Sequence, residues 1–239
     1  MQIKASLESK ALQIKPSDEY LAKHTKKISL LFDLSKKRWK IRTLVAQNNG
    51  CNYDLFKKLC KDRSVNVRAE IASKSSCPID ILEKLSNDPH FYVRQYVTYN
   101  PNCPIGILEK LSKDSNWNVR FNVALNKNCS AEVLRNLSKD SDWGVRCRVA
   151  RNPNCPKKIL KKLSTDFDFY VRWSVALNPN CPVEILEKLS DDSDWRVRCN
   201  VAYNSNCSAE ILEKLSNDSD LNVRDYANKG LNRIRSATN

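Results

Sequence analysis

Glycine is scarce, with four residues in a chain of 239. That leaves little material for a glycine-rich phosphate-binding loop, or for a fold whose turns depend on glycine. Histidine is scarcer still. His24 and His90 occupy unrelated positions, and neither adjoins a Cys or Ser motif of known mechanics. No apolar run approaches the roughly 18 residues that a bilayer crossing needs. The stretch from Met1 to Pro16 is charged throughout and lacks the apolar centre of a secretory signal. These shortages make the expectation a protein that is not an enzyme, with no membrane partner, no small-molecule substrate and no cofactor. Cysteine is plentiful, at ten residues, but there is no Cys-x-x-Cys. Without an export signal, those thiols point to a reducing cytoplasm rather than a disulfide framework.

What the chain has in quantity is charge and repetition. Hydrophobic residues make up 41% and charged residues 28%, enough apolar material for a core in a chain that carries a net +14. The excess is uneven: residues 1–68 hold 16 Lys or Arg against 6 Asp or Glu. Positive charge of this size favours an acidic protein, nucleic acid or anionic surface as partner. Cysteines fall every 26 residues from Cys51 to Cys207, and arginines keep the same step from Arg42 to Arg224. Aspartates from Asp62 to Asp218 precede seven of those arginines by six positions, and leucines from Leu59 to Leu215 complete the frame. A fixed period of this kind is the signature of a repeat architecture.

The unit Cys181 to Asn206, CPVEILEKLSDDSDWRVRCNVAYNSN, divides into two helices. Pro182 suits a first helical position, where its missing N–H is not needed, and Ile185, Leu186 and Leu189 follow as an apolar stripe. Ser193 and Asp194 are capping residues, after which Trp195, Val197, Val201 and Ala202 recur at helical spacing. Asn204 and Asn206 close the unit, the expectation being that Asn adopts the left-handed conformation which ends a helix. Such a pair cannot bury its apolar flank alone, whereas stacked neighbours can. The expected organisation is a basic helical N-terminal cap over 1–33, a repeat array over 34–230 and a polar end over 231–239. The cap is expected to hold one helix over 17–34, with Leu21, Ile28 and Leu31 on one face.

The run Asn-Pro-Asn-Cys-Pro-x-x-Ile-Leu-x-x-Leu-x-x-Asp, followed by Val-Arg-x-x-Val-Ala, resembles the leucine-rich repeat variant family. Asn178 to Ala202 carries it, and Asn100 to Ala124 carries it with small changes. The resemblance implies an all-α, right-handed α-solenoid of paired helices, related to HEAT-like repeats. In that family one helix of each pair can be a short 3₁₀ segment; the 26-residue step here leaves room for two α-helices. One type of member carries an N-terminal iron–sulfur cluster. This chain departs from it, because no cysteine precedes Cys51.

Each column has a structural reading. Cysteines one repeat apart, about 8–10 Å, are too far apart to pair and too spread to converge on a metal, and read as buried small hydrophobes. The Asp and Arg columns read as a ladder tying units together by bidentate bonds. The aromatic column, three residues before each Arg, reads as packing between repeats, with a cation–π contact to that Arg also available. Removing these columns leaves two basic clusters as candidate binding residues. Lys26, Lys27, Lys36, Lys37, Arg38 and Lys40 lie around the cap. Arg148, Arg151, Lys157, Lys158, Lys161 and Lys162 lie within one repeat, and Glu184 and Glu187 stand where Lys158 and Lys161 would fall one repeat later.

The expected function is a non-catalytic scaffold for an acidic protein partner. A nucleic-acid-binding solenoid is the alternative, and a HEAT-like DNA glycosylase, for which no motif is present, is a distant third.

Overall fold

In a computed structural model, residues 16–238 can be described. Every element among them is an α-helix, and none is long and apolar enough to cross a membrane. Residues 1–15 of the expected cap lie outside the described residues. The chain divides after Leu85 into two compact units.

The repeat is built of a seven-residue first helix and a nine-residue second helix, such as Val183–Leu189 and Trp195–Tyr203. Both are α-helical, so no 3₁₀ segment replaces either one. Ile185, Leu186 and Leu189 are buried on the first helix, and Val197, Val201 and Ala202 on the second. Trp195 stays out of that core at 42% exposure. Pro182 takes the N-cap position rather than the first helical one, with extended ψ, and its carbonyl receives the N–H groups of Ile185 and Leu186. In repeats without this proline, Ser130 and Ser208 cap instead through their hydroxyls. Asp194 caps the second helix by accepting the N–H of Arg196.

In the unit up to Leu85, the second helix Trp39–Gln47 packs between Asp18–His24 and Val65–Ser73. The segment 17–34 is two helices rather than one, Asp18–His24 and Ile28–Leu34. Thr25 is extended and its hydroxyl accepts the N–H of Lys27, a local bond that competes with helix continuation. In the unit from Ser86, the helices Phe91–Tyr99, Trp117–Leu125, Trp143–Arg151, Phe169–Ala176, Trp195–Tyr203 and Leu221–Thr238 pack each on the next as one layer. The first helices form the other layer, which makes this unit a helical solenoid.

Two side-chain ladders join the repeats. In the first, Arg94 donates from Nε and Nη2 to the two carboxylate oxygens of Asp114, at 2.6 and 2.9 Å, and from Nη1 to the carbonyl of Asp88. The same arrangement joins Arg42 to Asp62, Arg120 to Asp140, Arg146 to Asp166, Arg172 to Asp192 and Arg198 to Asp218. Each aspartate also accepts the N–H two residues on, as Asp114 does from Asn116. Burial works against the Asp114 carboxylate, but Arg94 and that N–H outweigh it and hold the group below its ordinary pKa.

The second ladder is asparagine. No described residue, glycine included, has positive φ, so the expected left-handed exit does not occur. Asn204 leaves its helix in extended conformation, at φ −64° and ψ 133°. Its amide donates to the carbonyls of Ala176 and Asn178 in the preceding repeat, and its Oδ1 accepts the N–H of Asn206. Asn126, Asn152 and Asn178 repeat this pattern. Asparagine therefore satisfies carbonyls left open at the end of the neighbouring helix. Gly230 stands one repeat after Asn204, and there the helix runs on to Thr238 instead of turning. Gly230 lies against Leu212, and Arg233 donates to the Asn204 carbonyl.

Candidate binding surface

The two basic clusters fare differently. Around the cap, Lys36 pairs with Asp33 at 3.0 Å, Lys37 with Asp18 at 3.7 Å and Arg38 with Glu19 at 2.8 Å. Lys40 lies over its neighbour Trp39, 5.9 Å from the ring centroid, while Lys26 and Lys27 are exposed. Much of that charge is thus offset within the cap itself.

The second cluster is split between the two layers. Lys157, Lys158, Lys161 and Lys162 are exposed on the first helix Lys157–Leu163, whose Ile159, Leu160 and Leu163 point into the core. Arg148 and Arg151 lie on the second helix Trp143–Arg151, where they meet aromatic rings. The Arg148 guanidinium sits 4.4 Å from the centroid of Phe121, and that of Arg151 sits 5.8 Å from Trp173. No carboxylate pairs with either among the described residues. Burial, and then repulsion from Arg151, pull the Arg148 guanidinium below its ordinary pKa, so a nearby anion would be welcome there.

The aromatic column lies along this second-helix layer. Trp117, Trp143 and Trp195 remain 42–48% exposed, so packing between repeats accounts for only part of each ring. The contact open to it with the repeat arginine gives way to the Asp ladder. Arg146 instead faces Phe167, at 4.8 Å, and Arg196, already paired with Asp194, covers Phe169 at 3.8 Å. Trp143 stacks on Tyr170, with centroids 5.0 Å apart and planes at 26°. Between these rings opens a pocket of about 480 Å³, lined by Trp117, Phe121, Asp142, Trp143, Gly144, Cys147, Arg148, Arg151, Tyr170, Trp173 and Ser174.

Sequence reasoning identified Arg148 and Arg151 but missed the walls they meet. Phe121 and Trp173 occupy a column that holds Thr43, Ala69, Gln95 and Cys199 in other repeats. Gly144 occupies one that holds Asn66, Tyr92, Asn118 and Arg196. Comparing columns for departures, and not only for regularity, would have flagged all three.

The cysteine column is buried as expected of small hydrophobes, apart from the half-buried Cys51. Burial pushes the thiols of Cys77, Cys103, Cys129, Cys155, Cys181 and Cys207 up to about 12. Those groups are poor nucleophiles at neutral pH.

Residues 171–194 and 195–220 match the pattern of the leucine rich repeat variant family. A solved structure described as a leucine-rich repeat variant with a novel repetitive protein structural motif is similar over 90% of this chain and 82% of its own. The TM-score is 0.64 and the identity 25%. An engineered protein of known crystal structure covers 98% of this chain and 90% of its own at 15% identity, with a TM-score of 0.40 too low to support an argument. No curated protein matches. The two matched segments are consecutive turns of the same 26-residue frame that runs from Arg42 to Arg224, and they carry the leucine-rich repeat variant pattern within a chain of helical repeats.

Proposed function

We propose that this protein is a non-catalytic scaffold that holds an acidic protein partner along the second-helix layer of residues 86–238. One observation carries the reading. Half-exposed tryptophans recur there at repeat spacing, beside two guanidiniums, Arg148 and Arg151, that pair with no carboxylate among the described residues. Aromatic rings and arginine are the residue types that dominate binding energy at protein interfaces. The exposed lysines of the first-helix layer add long-range attraction for an acidic partner. The unreactive buried thiols suit a cytoplasmic setting.

The same exposed rings would also stack nucleobases, which keeps nucleic acid as the competing reading. Fluorescence anisotropy with labelled oligoglutamate, oligothymidylate and duplex DNA, at low and physiological salt, separates the two. The expected result is saturable binding of oligoglutamate, weakened by Trp143→Ala and by the joint change Lys158→Glu and Lys161→Glu. The following repeat carries Glu184 and Glu187 at these two lysine positions, so the fold should tolerate the exchange. If either nucleic acid binds more tightly than oligoglutamate at physiological salt, the scaffold reading fails. If nucleic-acid binding stays weaker than about 100 µM, the competing one fails.

A further inference from the structure

The pocket beside Arg148 and Arg151 is a local event in an otherwise regular array. Four columns depart from the repeat pattern, and all four departures meet at this one place. Gly144 removes a side chain where neighbouring repeats have Asn118 and Tyr170. A Cβ there would lie 3.0 Å from Asp142 Oδ1 and 3.6 Å from the Phe121 ring, so a longer side chain would stand in the opening. Phe121 and Trp173 supply rings where most repeats have small or polar residues. Arg148 stands where its neighbours have Asn122 and Ser174, and Arg151 where they have Leu125 and Leu177.

We propose that this pocket seats one aromatic side chain from an acidic segment of the partner, with a flanking carboxylate held by Arg148 and Arg151. The proposal rests on the acidic-partner reading and adds the residue that anchors it. The walls are ring faces: Trp143 and Tyr170 stack together, and Phe121 and Trp173 stand beside the guanidiniums. Aromatic surfaces of this kind favour another ring, in offset or edge-on contact. A volume of about 480 Å³ falls within the range of pockets that enclose most of a small ligand. It has room for a ring and the backbone carrying it. Cys147 and Ser174, both buried, also line the pocket.

The charges choose the sign of what flanks the ring. The Arg148 and Arg151 guanidiniums lie near the Phe121 and Trp173 rings, and neither is paired with a carboxylate among the described residues, so their N–H groups can donate to an incoming anion. A carboxylate matches such donors with parallel hydrogen bonds. Because the two arginines repel one another, an anion between them is stabilised by both.

Isothermal titration calorimetry with capped peptides tests this. One probe is Asp-Glu-Trp-Glu-Asp, the second has Ala in place of Trp, and the third has Lys in place of every acid. The aromatic acidic peptide should bind about tenfold tighter than either control. Gly144→Asn, Arg148→Asn and Arg151→Leu borrow residues from neighbouring repeats, and each should cost about tenfold while leaving the melting temperature in place. If Gly144→Asn lowers the melting temperature, the two arginine variants, altered where the repeats already vary, carry the test. Equal affinity for the Trp and Ala peptides overturns the pocket but leaves the acidic-partner reading standing. Preference for the Lys peptide overturns the pocket as well. Failure of both acidic peptides and of oligoglutamate overturns pocket and scaffold together.

Discussion

Arg120 grips Asp140 of the following repeat through two parallel hydrogen bonds, Nε to Oδ2 at 2.6 Å and Nη2 to Oδ1 at 2.9 Å. The carboxylate of Asp114, six residues before Arg120, belongs to Arg94, and Arg120 takes only the Asp114 carbonyl. Arg42, Arg94, Arg120, Arg146, Arg172 and Arg198 therefore each clamp their own entry turn and the next repeat at once. The Asp140 side chain is 6% exposed, so losing its partner leaves a carboxylate poorly solvated. Arg120→Ala should destabilise the protein by about 3 kcal/mol. Arg120→Met combined with Asp140→Leu should recover much of that loss, because the charge is removed with its partner. Urea unfolding of Arg120→Met, Asp140→Leu and the double variant measures the coupling; additive effects would show that the rung contributes nothing as a pair.

The ladder also sets the response to acid. Asp62, Asp114, Asp140 and Asp218 are all held below their ordinary carboxylate pKa. In the first three, burial opposes the shift and is outweighed by Arg and N–H bonds; in Asp218 the Arg198 bond leads. A depressed folded pKa contributes stability that is fully present above the unfolded value, near pH 4, and is lost as pH falls through the folded value. The melting temperature should therefore hold steady from neutrality to about pH 5 and drop steeply below about pH 4. A flat profile down to pH 3 would contradict the rungs.

Asn178 gives a sharper pH test with the opposite sign. Its buried amide donates to the carbonyls of Ala150 and Asn152. Asn178→Ala should cost about 2 kcal/mol, since those carbonyls lose a donor out of reach of water. Asn178→Asp turns a carboxylate oxygen toward two carbonyl oxygens, which raises its folded pKa. Stability is then present while the acid is protonated and is lost as pH rises through that value. Denaturation at pH 5.5 and 7.5 should show the Asp variant gaining relative to Ala at the lower pH. The reverse order would mean that the amide makes no such bonds.

The thiols should divide by burial. Burial pushes the pKa of the six thiols of the column beyond Cys51 up to about 12, so they stay almost wholly protonated at pH 8. Alkylation of the folded protein should be slow at Cys77, Cys103, Cys129, Cys155, Cys181 and Cys207, and fastest at half-buried Cys51. Unfolding should release ten reactive groups. Rapid labelling of the column in the folded state, read by peptide mass mapping, would contradict its burial.

Period alone made the architecture legible. A 26-residue step with no insertion from Arg42 to Arg224 gives every unit the same pair of helices with the same buried positions. Ile185, Leu186 and Leu189, and Val197 with Val201, are therefore recognisable as core from spacing on two helices. The break at Thr25 was less visible, because Leu21, Ile28 and Leu31 keep helical spacing across it while a single hydroxyl bond to Lys27 interrupts the backbone.

The sequence by itself determined which residues recur, and so the helices, their buried faces and the residue types of each rung. Only the tertiary structure decided who meets whom. Asp62, Asp114, Asp140, Asp166, Asp192 and Asp218 sit six positions before an arginine along the chain, yet their carboxylates are taken by the arginine twenty positions back, across the gap between repeats. Asn204 reads as a turn residue until the Ala176 and Asn178 carbonyls come within reach of its amide. Arg148, Phe121 and Trp173 lie in three different repeats and share a wall only once the second helices stack. Hydrogen bonds and ring contacts depend on distance in space. In a solenoid, the shortest distances lie between residues about one repeat apart, where local spacing says nothing of which side chains touch.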